Sequence, residues 1–387
     1  MKTSTFLRGL VVVGACAGAL GFTTAPLGLN SQCDLQNIHS KLHATRSQVG
    51  KPLYATVPEE AAVETVDNEV QIAKIKEQKS SAMQEKLKVG GYFGLWYALN
   101  IGYNIYNKQV LNVLPLPWTV GTAQLAAGLL YILPVWASGL RKAPKVSLEN
   151  IKNLSPIAAM HTAAHITAVL SLGAGAVSFT HIVKAGEPLF TSAAGAIIMK
   201  EIFPWQVYAT LMPVIVGVGL ASLKELSFSW VAFGNAMGSN LASALRGTFS
   251  KGAMGKPQGE NMNATNLYAV LTFLAIGMLL PFAAVIEGPR LASTWAAATA
   301  AMSAKELALK LLASGLFYYT YNEVAYLALD SVNPVTHAVG NTIKRVVVIL
   351  ASVLFFGTKM TPLGTFGSAL AIGGVLLYSL AKNKFKN

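Results

Sequence analysis

Long apolar stretches separated by short polar loops dominate the chain from Val89 onward. A helix that crosses a bilayer needs about 20 consecutive, mainly apolar residues, and about ten such stretches follow one another here. They lie near 89–107, 117–140, 154–173, 175–199, 204–223, 228–250, 267–286, 308–329, 334–357 and 361–381. Because little chain is left for a soluble domain, the pattern predicts an all-α membrane protein with about ten transmembrane helices in the lipid bilayer.

Composition agrees with this prediction and excludes two other classes. The 387 residues are 53% hydrophobic and only 12% charged, about half the charged share of a soluble domain. The net charge of +13 comes from scattered tail and loop residues without a basic helix or aromatic stacking motif, so a nucleic-acid partner is not expected. Cys16 and Cys33, the two cysteines, precede every span, which leaves no thiol or zinc chemistry in the membrane region, and no metal site is expected.

The first 55 residues are predicted to form a targeting presequence. Lys2 and Arg8 precede an apolar run from Leu10 to Phe22 that is short for a membrane span and is typical of a signal peptide. The following stretch to about Ala55 is basic and rich in Ser and Thr, as in a transit peptide. Such a two-part address is expected for plastids with extra membranes; an eleventh span or a single transit peptide are the alternatives.

The remaining chain divides into four predicted regions. Residues 56–88 form a charged linker or surface helix, and residues 383–387 form a basic tail. Between them, 89–225 and 226–382 are predicted to be two inverted five-helix repeats, an organisation in which the substrate site lies at the repeat interface near the bilayer midplane. The echo of Thr180-His181-Ile182-Val183 by Thr336-His337-Ala338-Val339 supports this division.

Basic residues deep within apolar spans are the strongest functional signal. Lys344 and Arg345 lie in the middle of 334–356, and Lys184 lies equally deep in 177–199. A cation at bilayer depth costs about 2.5–3.5 kcal/mol on insertion scales, so it is retained where it faces protein or a water-filled cavity. Helical spacing adds polar residues to the same faces. They include His161, His165, Thr180, Glu187, Thr191, Ser239, Ser243, Arg246, Tyr318, Tyr321, Asn322, Glu323, His337 and Asn341.

These stripes predict one net-positive cavity and therefore an anionic ligand. The adjoining Lys344 and Arg345 suit phosphate, because Arg offers a planar fork and Lys a compact point charge. Structural alternatives stay open at this point. Arg246 lies near a span end and could extend to the interface, Lys184 could form an i,i+3 ion pair with Glu187, and His165 and Tyr321 could be core residues.

Two motifs resemble the plastid phosphate translocators of the drug/metabolite transporter superfamily. They are AVSFTHIVKAGEP at 176–188 and PVTHAVGNTIKRV at 334–346, and the likeness extends over about 89–382. The resemblance implies the drug/metabolite transporter fold and exchange of inorganic phosphate for phosphorylated three-, five- or six-carbon metabolites across the inner plastid envelope. It also implies roles for six residues. Lys184, Lys344 and Arg345 would bind phosphate, and His165, Arg246 and Tyr321 would bind the rest of the substrate. Glu187 is a candidate gate or ion pair.

The resemblance favours a triose-phosphate and 3-phosphoglycerate carrier, because His337 matches the triose-phosphate pattern and His165 argues against a phosphoenolpyruvate carrier. Residues 183–187 are nearer the hexose-phosphate pattern and 345–349 nearer the phosphoenolpyruvate pattern, so both remain alternatives. We expect strict antiport by alternating access, because an empty site with uncompensated cations resists occlusion.

Three other functions compete with this one. A proton-driven exporter needs a membrane carboxylate away from cations, for which Glu323 is the candidate. A nucleotide-sugar carrier is also conceivable, although the Lys–Arg pair and the plastid-like leader point elsewhere. An intramembrane enzyme lacks its usual motifs, so neither catalysis nor a cofactor is expected. The sequence leaves monomer and homodimer open.

Overall fold

The computed structural model describes residues 59–223, 228–253, 256–332 and 334–385, with side chains from Met83 onward except at 334, 335 and 338. The predicted presequence and the boundary predicted at 225/226 lie outside these residues. By internal contacts the chain divides into Met1–Lys86 and Leu87–Asn387. The described residues of the first unit, 59–86, are helical, and the second unit contains the features discussed below.

The regular secondary structure of the described chain is helical, apart from one isolated β-bridge between Lys145 and Glu260. The helices are α1 (Glu59–Val113), α2 (Pro117–Ala137), α3 (Leu148–Ala174), α4 (Val177–Lys184), α5 (Glu187–Ile198), α6 (Trp205–Ala209), α7 (Met212–Leu223), α8 (Trp230–Ala253), α9 (Ala264–Ala301), α10 (Ala304–Ser331), α11 (Pro334–Phe356) and α12 (Pro362–Lys384). Helical residues therefore occupy all ten predicted spans, with the fourth and fifth each divided into two helices.

Several helices begin where short polar side chains can cap them. Ser147 accepts a hydrogen bond from the Asn150 backbone nitrogen, and the Asn150 side chain accepts one from the Ser147 backbone nitrogen in return. The side chains of Asn263, Ser303 and Thr361 cap α9, α10 and α12, each by accepting a hydrogen bond from the backbone nitrogen three residues on. Each cap satisfies a backbone N–H that has no partner within its helix, which is the local reason why the helices begin at these positions.

Six helical stretches in the described chain are long and apolar enough to cross a membrane. They are Pro117–Ala137, Leu148–Ala174, Trp205–Leu223, Ala264–Ala301, Val339–Phe356 and Pro362–Lys384. The outer surface agrees with contact to lipid, since Leu354 is 84% exposed and Val285 77% exposed. The interior instead holds polar side chains, among them Asn104, Gln124 and His165. Apolar groups outside and polar groups inside are what a bilayer solvent favours.

Small residues allow close helix packing around this interior. α7 lies along α12, α3 along α8, and α2 against α9 and α10. A Cβ added to Gly367 would lie 2.6 Å from the Ala221 backbone nitrogen, so glycine is required where α12 approaches α7. The short α4 contacts α3, α7, α8, α11 and α12, which places its C-terminal end, with Lys184, among several helices.

Candidate functional site

The predicted fourth span breaks at the position of its basic residue. α4 ends at Lys184 and α5 begins at Glu187. Pro188 has no N–H to donate to the carbonyl of Lys184, which removes one bond of a continuous α-helix and favours the break at this turn. At the turn, the Gly186 nitrogen donates a hydrogen bond of 3.0 Å to the Val183 carbonyl, three residues back. The Asn240 side chain donates to the same carbonyl at 2.9 Å. A broken helix of this kind is typical of substrate sites in transporters.

The break also places charges favourably at the two new helix ends. Lys184 occupies the last turn of α4, where the helix dipole is negative, and Glu187 occupies the first turn of α5, where it is positive. The Lys184 ammonium donates a hydrogen bond of 2.6 Å to Ser239 of α8, and Ser239 donates onward to the Ala164 carbonyl of α3 at 2.9 Å. Lys184 is therefore anchored by a neutral hydroxyl.

The adjacent Lys344 and Arg345 on α11 have different partners. The Arg345 guanidinium donates to the Glu187 carboxylate at 2.7 Å, with side-chain exposures of 7% and 29%. The Lys344 ammonium lies over the Trp96 ring, 4.5 Å from its centroid. The i,i+3 ion pair considered for Lys184 and Glu187 is thus not the arrangement observed, since the Glu187 carboxylate bonds Arg345.

Arg246 of α8 extends inward, not to the interface as the alternative allowed. Its guanidinium donates to Nδ1 of His161 on α3 at 3.1 Å. His165, one turn further along α3, donates from Nε2 to the Gly121 carbonyl at 3.0 Å and lies 4.2 Å from the Tyr318 ring.

Tyr321 completes an aromatic wall beside these residues. Its ring centroid lies 5.5 Å from that of Tyr318 and 5.4 Å from that of Tyr103. Arg246 interacts electrostatically with both Tyr318 and Tyr321. The three residues implied to bind the organic part of a substrate, His165, Arg246 and Tyr321, are therefore linked through Tyr318.

The four basic side chains form one electrostatic group, which we call the basic cluster: Lys184, Arg246, Lys344 and Arg345. Glu187 interacts electrostatically with all four. Glu323, the other acid of the predicted stripes, instead accepts from Arg141 at 2.6 Å. In the described part of the chain, the cluster and Glu187 carry a formal excess of three positive charges. Within those same residues, no group of His, Cys, Asp and Glu could hold a metal ion.

Some predicted stripe residues have local partners instead. Thr191 donates to the Glu187 carbonyl and Asn322 to the Tyr318 carbonyl, each one turn back, while Thr180 hydrogen bonds Ser171. Trp96 adjoins the basic cluster and was not predicted from the sequence. It lies in an apolar span and gives no polar signal, so its position beside Lys344 required the packing of α1 against α11.

An apolar helical exterior around buried polar and basic side chains, with a helix broken at a cation, defines the chain as a helical membrane transporter. The model of the Triose-phosphate Transporter family matches residues 87–379, and the chain belongs to this family. Members of this family are transporters rather than enzymes.

Three chloroplast translocators illustrate the range of similar proteins. The chain is 44% identical over 307 residues to glucose-6-phosphate/phosphate translocator 1 of Arabidopsis thaliana, covering 79% of this chain and 78% of the relative. It is 41% identical to phosphoenolpyruvate/phosphate translocator 2 of the same plant, covering 79% of each. It is 40% identical to the triose phosphate/phosphate translocator of Spinacia oleracea, covering 78% of this chain and 73% of the relative.

Proposed function

We propose that this protein is an antiporter that exchanges inorganic phosphate for triose phosphate or 3-phosphoglycerate. The observation that carries the proposal is the basic cluster: within the described chain its four cations have one acid among them, Glu187, which is hydrogen-bonded to Arg345. A dianionic phosphate group cancels most of that excess. The names of the relatives support the substrate class, because each includes phosphate and a phosphorylated metabolite.

Within this proposal each site residue has a separate task. Lys184, Lys344 and Arg345 bind the phosphate group, which every substrate shares. His165, Arg246 and Tyr321 bind the remainder of an organic phosphate, and their connection through Tyr318 supports a common subsite. Glu187 forms an ion pair with Arg345 when no substrate is bound, so an incoming phosphate competes with this carboxylate for the guanidinium.

The same charges give a reason for obligatory exchange. Alternating access carries the site through an occluded state, and an unpaired charge buried there costs several kcal/mol, as an order of magnitude. Bound phosphate removes that cost, and only a ligand with such differential energy shifts the equilibrium toward occlusion. We propose that occlusion occurs between two inverted five-helix repeats, 89–225 and 226–382. α4 and α5 would come from the first repeat and α11 from the second.

We place the transporter in the inner envelope of a plastid, reached through the two-part presequence at 1–55. The chloroplast assignment of the relatives supports the organelle. A secondary plastid with extra membranes is the origin that a signal segment followed by a transit segment favours.

A hexose-phosphate or phosphoenolpyruvate antiporter is the second candidate. The 44% identity to a glucose-6-phosphate/phosphate translocator and the 41% identity to a phosphoenolpyruvate/phosphate translocator favour it. A proton-driven exporter is disfavoured, because Glu323, its one candidate carboxylate, forms an ion pair with Arg141 at 2.6 Å.

Reconstitution into liposomes tests both parts of the proposal. Labelled phosphate should enter vesicles loaded with phosphate or an organic phosphate and should not enter unloaded vesicles. Comparable uptake into unloaded vesicles would refute obligatory exchange. Competition by dihydroxyacetone phosphate, 3-phosphoglycerate, phosphoenolpyruvate and glucose 6-phosphate identifies the organic substrate, and stronger inhibition by either of the last two would replace the triose-phosphate assignment.

A further inference from the structure

Lys344 differs from the other members of the basic cluster in the kind of partner it has. Arg345 has a carboxylate, Lys184 a hydroxyl and Arg246 an imidazole. The Lys344 ammonium lies 4.5 Å from the centroid of the Trp96 ring, and within the described chain it makes no ion pair. An aromatic face attracts a cation through its quadrupole, and tryptophan does so most strongly.

The Trp96 ring is held firmly from several directions. Its side chain is 3% exposed. The indole stacks on His337 with centroids 5.2 Å apart and planes 17° apart, and Phe93 and Tyr97 lie within 6.0 Å of it along α1. Lys344 and His337 are seven residues apart, about two turns on the same face of α11. The ring therefore fixes a location for the ammonium relative to α11.

We propose that Trp96 is a positioning residue for substrate binding, which holds the Lys344 ammonium in the place where it meets phosphate. This inference rests on the function proposed above. A ring differs from a carboxylate as a partner, because it carries no net charge. It orients the ammonium without neutralising it, whereas Glu187 has to be displaced from Arg345. Arg345 would thus be paired with a carboxylate that phosphate displaces, and Lys344 would be oriented by a ring that stays in place.

Kinetics of phosphate homo-exchange in liposomes test this role. Trp96→Leu removes the ring, and we expect KM for phosphate to rise about 5- to 30-fold, corresponding to the range for a partly to fully desolvated cation–π contact. Trp96→Phe keeps a weaker ring, and KM should rise only about 2- to 5-fold. The maximal rate per folded protein should be largely retained. Trp118→Leu is the matched control, because this indole packs on Phe282, and its KM should equal that of the wild type.

A double-mutant cycle separates positioning from general loss of structure. Phosphate affinity is measured from the phosphate-dependent thermal shift of purified protein. In a Lys344→Met background, Trp96→Leu should change that affinity by less than about 2-fold, because the contact is already absent. If Lys344→Met shows no phosphate-dependent shift, the KM values of the Trp96 variants decide whether Trp96 has the positioning role. If Trp96→Leu does not fold, the KM of Trp96→Phe is compared with that of Trp118→Leu instead.

The outcomes distinguish this inference from the proposed function. A wild-type protein that performs no phosphate exchange refutes the function itself. A wild type that exchanges phosphate, with KM unchanged or lowered in the Trp96 variants, overturns the positioning role alone. An equal loss of affinity in the wild-type and Lys344→Met backgrounds also overturns it.

Discussion

Glu187→Gln tests the idea that a carboxylate competes with phosphate for the basic cluster. The Glu187 carboxylate accepts a 2.7 Å hydrogen bond from Arg345, and the substitution leaves four cations without an acid among them in the described chain. If phosphate must displace this carboxylate, the variant should bind phosphate more tightly. It should also be less stable when empty, because Arg345 loses its charged partner.

The size of the effect follows from the exposure of the pair. Arg345 is 7% exposed and Glu187 29%, so the pair is neither fully buried nor at the surface. A hydrogen bond to a charged group contributes about 1.5–3 kcal/mol. Phosphate affinity should therefore increase about 10- to 150-fold, since 1.4 kcal/mol is roughly a factor of ten. The empty protein should lose a similar free energy of unfolding.

Thermal unfolding at increasing phosphate concentration measures both quantities in one assay. The expected result is a lower melting temperature without phosphate and half-maximal stabilisation at a lower phosphate concentration. Glu323→Gln is the matched control, because it also breaks an interior ion pair with an arginine, Arg141, yet should leave phosphate affinity unchanged. An affinity for Glu187→Gln equal to or weaker than that of the wild type would refute the competition.

Three further predictions concern the other cations, the packing and the surface. Three substitutions each remove one interior charge from the basic cluster: Lys184→Ala, Lys344→Ala and Arg345→Ala. Each should abolish phosphate exchange in liposomes without preventing membrane insertion, and activity in any of these variants would argue against the role of the substituted residue. Lys251→Ala, at a half-exposed surface pair, should exchange normally. Gly367→Ala places a Cβ 2.6 Å from a backbone nitrogen of α7, so the free energy of unfolding should fall by about 1–3 kcal/mol. Gly373→Ala is the control, because the space around Gly373 is open, and it should melt like the wild type. The hydrogen bond from Lys145 lowers the pKa of the Glu260 carboxyl below its ordinary value. The ion pair therefore stabilises the fold at a pH above the ordinary pKa, and this stabilisation is lost as the pH falls through the lowered pKa. The difference in melting temperature between wild type and Glu260→Gln should disappear over that acid range, and a difference independent of pH would contradict the assignment.

Much of the local structure follows from sequence alone. Apolar length predicted helices that the structure contains at every expected range, although α3 and α9 begin several residues before the predicted spans, at the caps Ser147 and Asn263. The cations at Lys184 and Lys344 were recognisable because a charge in an apolar stretch is costly unless it faces the interior. The sequence thus predicted a polar interior that contains these cations, and the family match agrees with the class of protein inferred from them.

Tertiary structure decided which of these residues are partners. An unbroken helix would place Lys184 and Glu187 on one face, but the helix breaks between them, and Glu187 pairs with Arg345, 158 residues away. Trp96 could not be assigned, because an aromatic residue in an apolar span looks like any other core residue until α11 packs beside it. Helical periodicity specifies the face on which a side chain lies. Its partner depends on which helix covers that face, and long-range packing alone determines this.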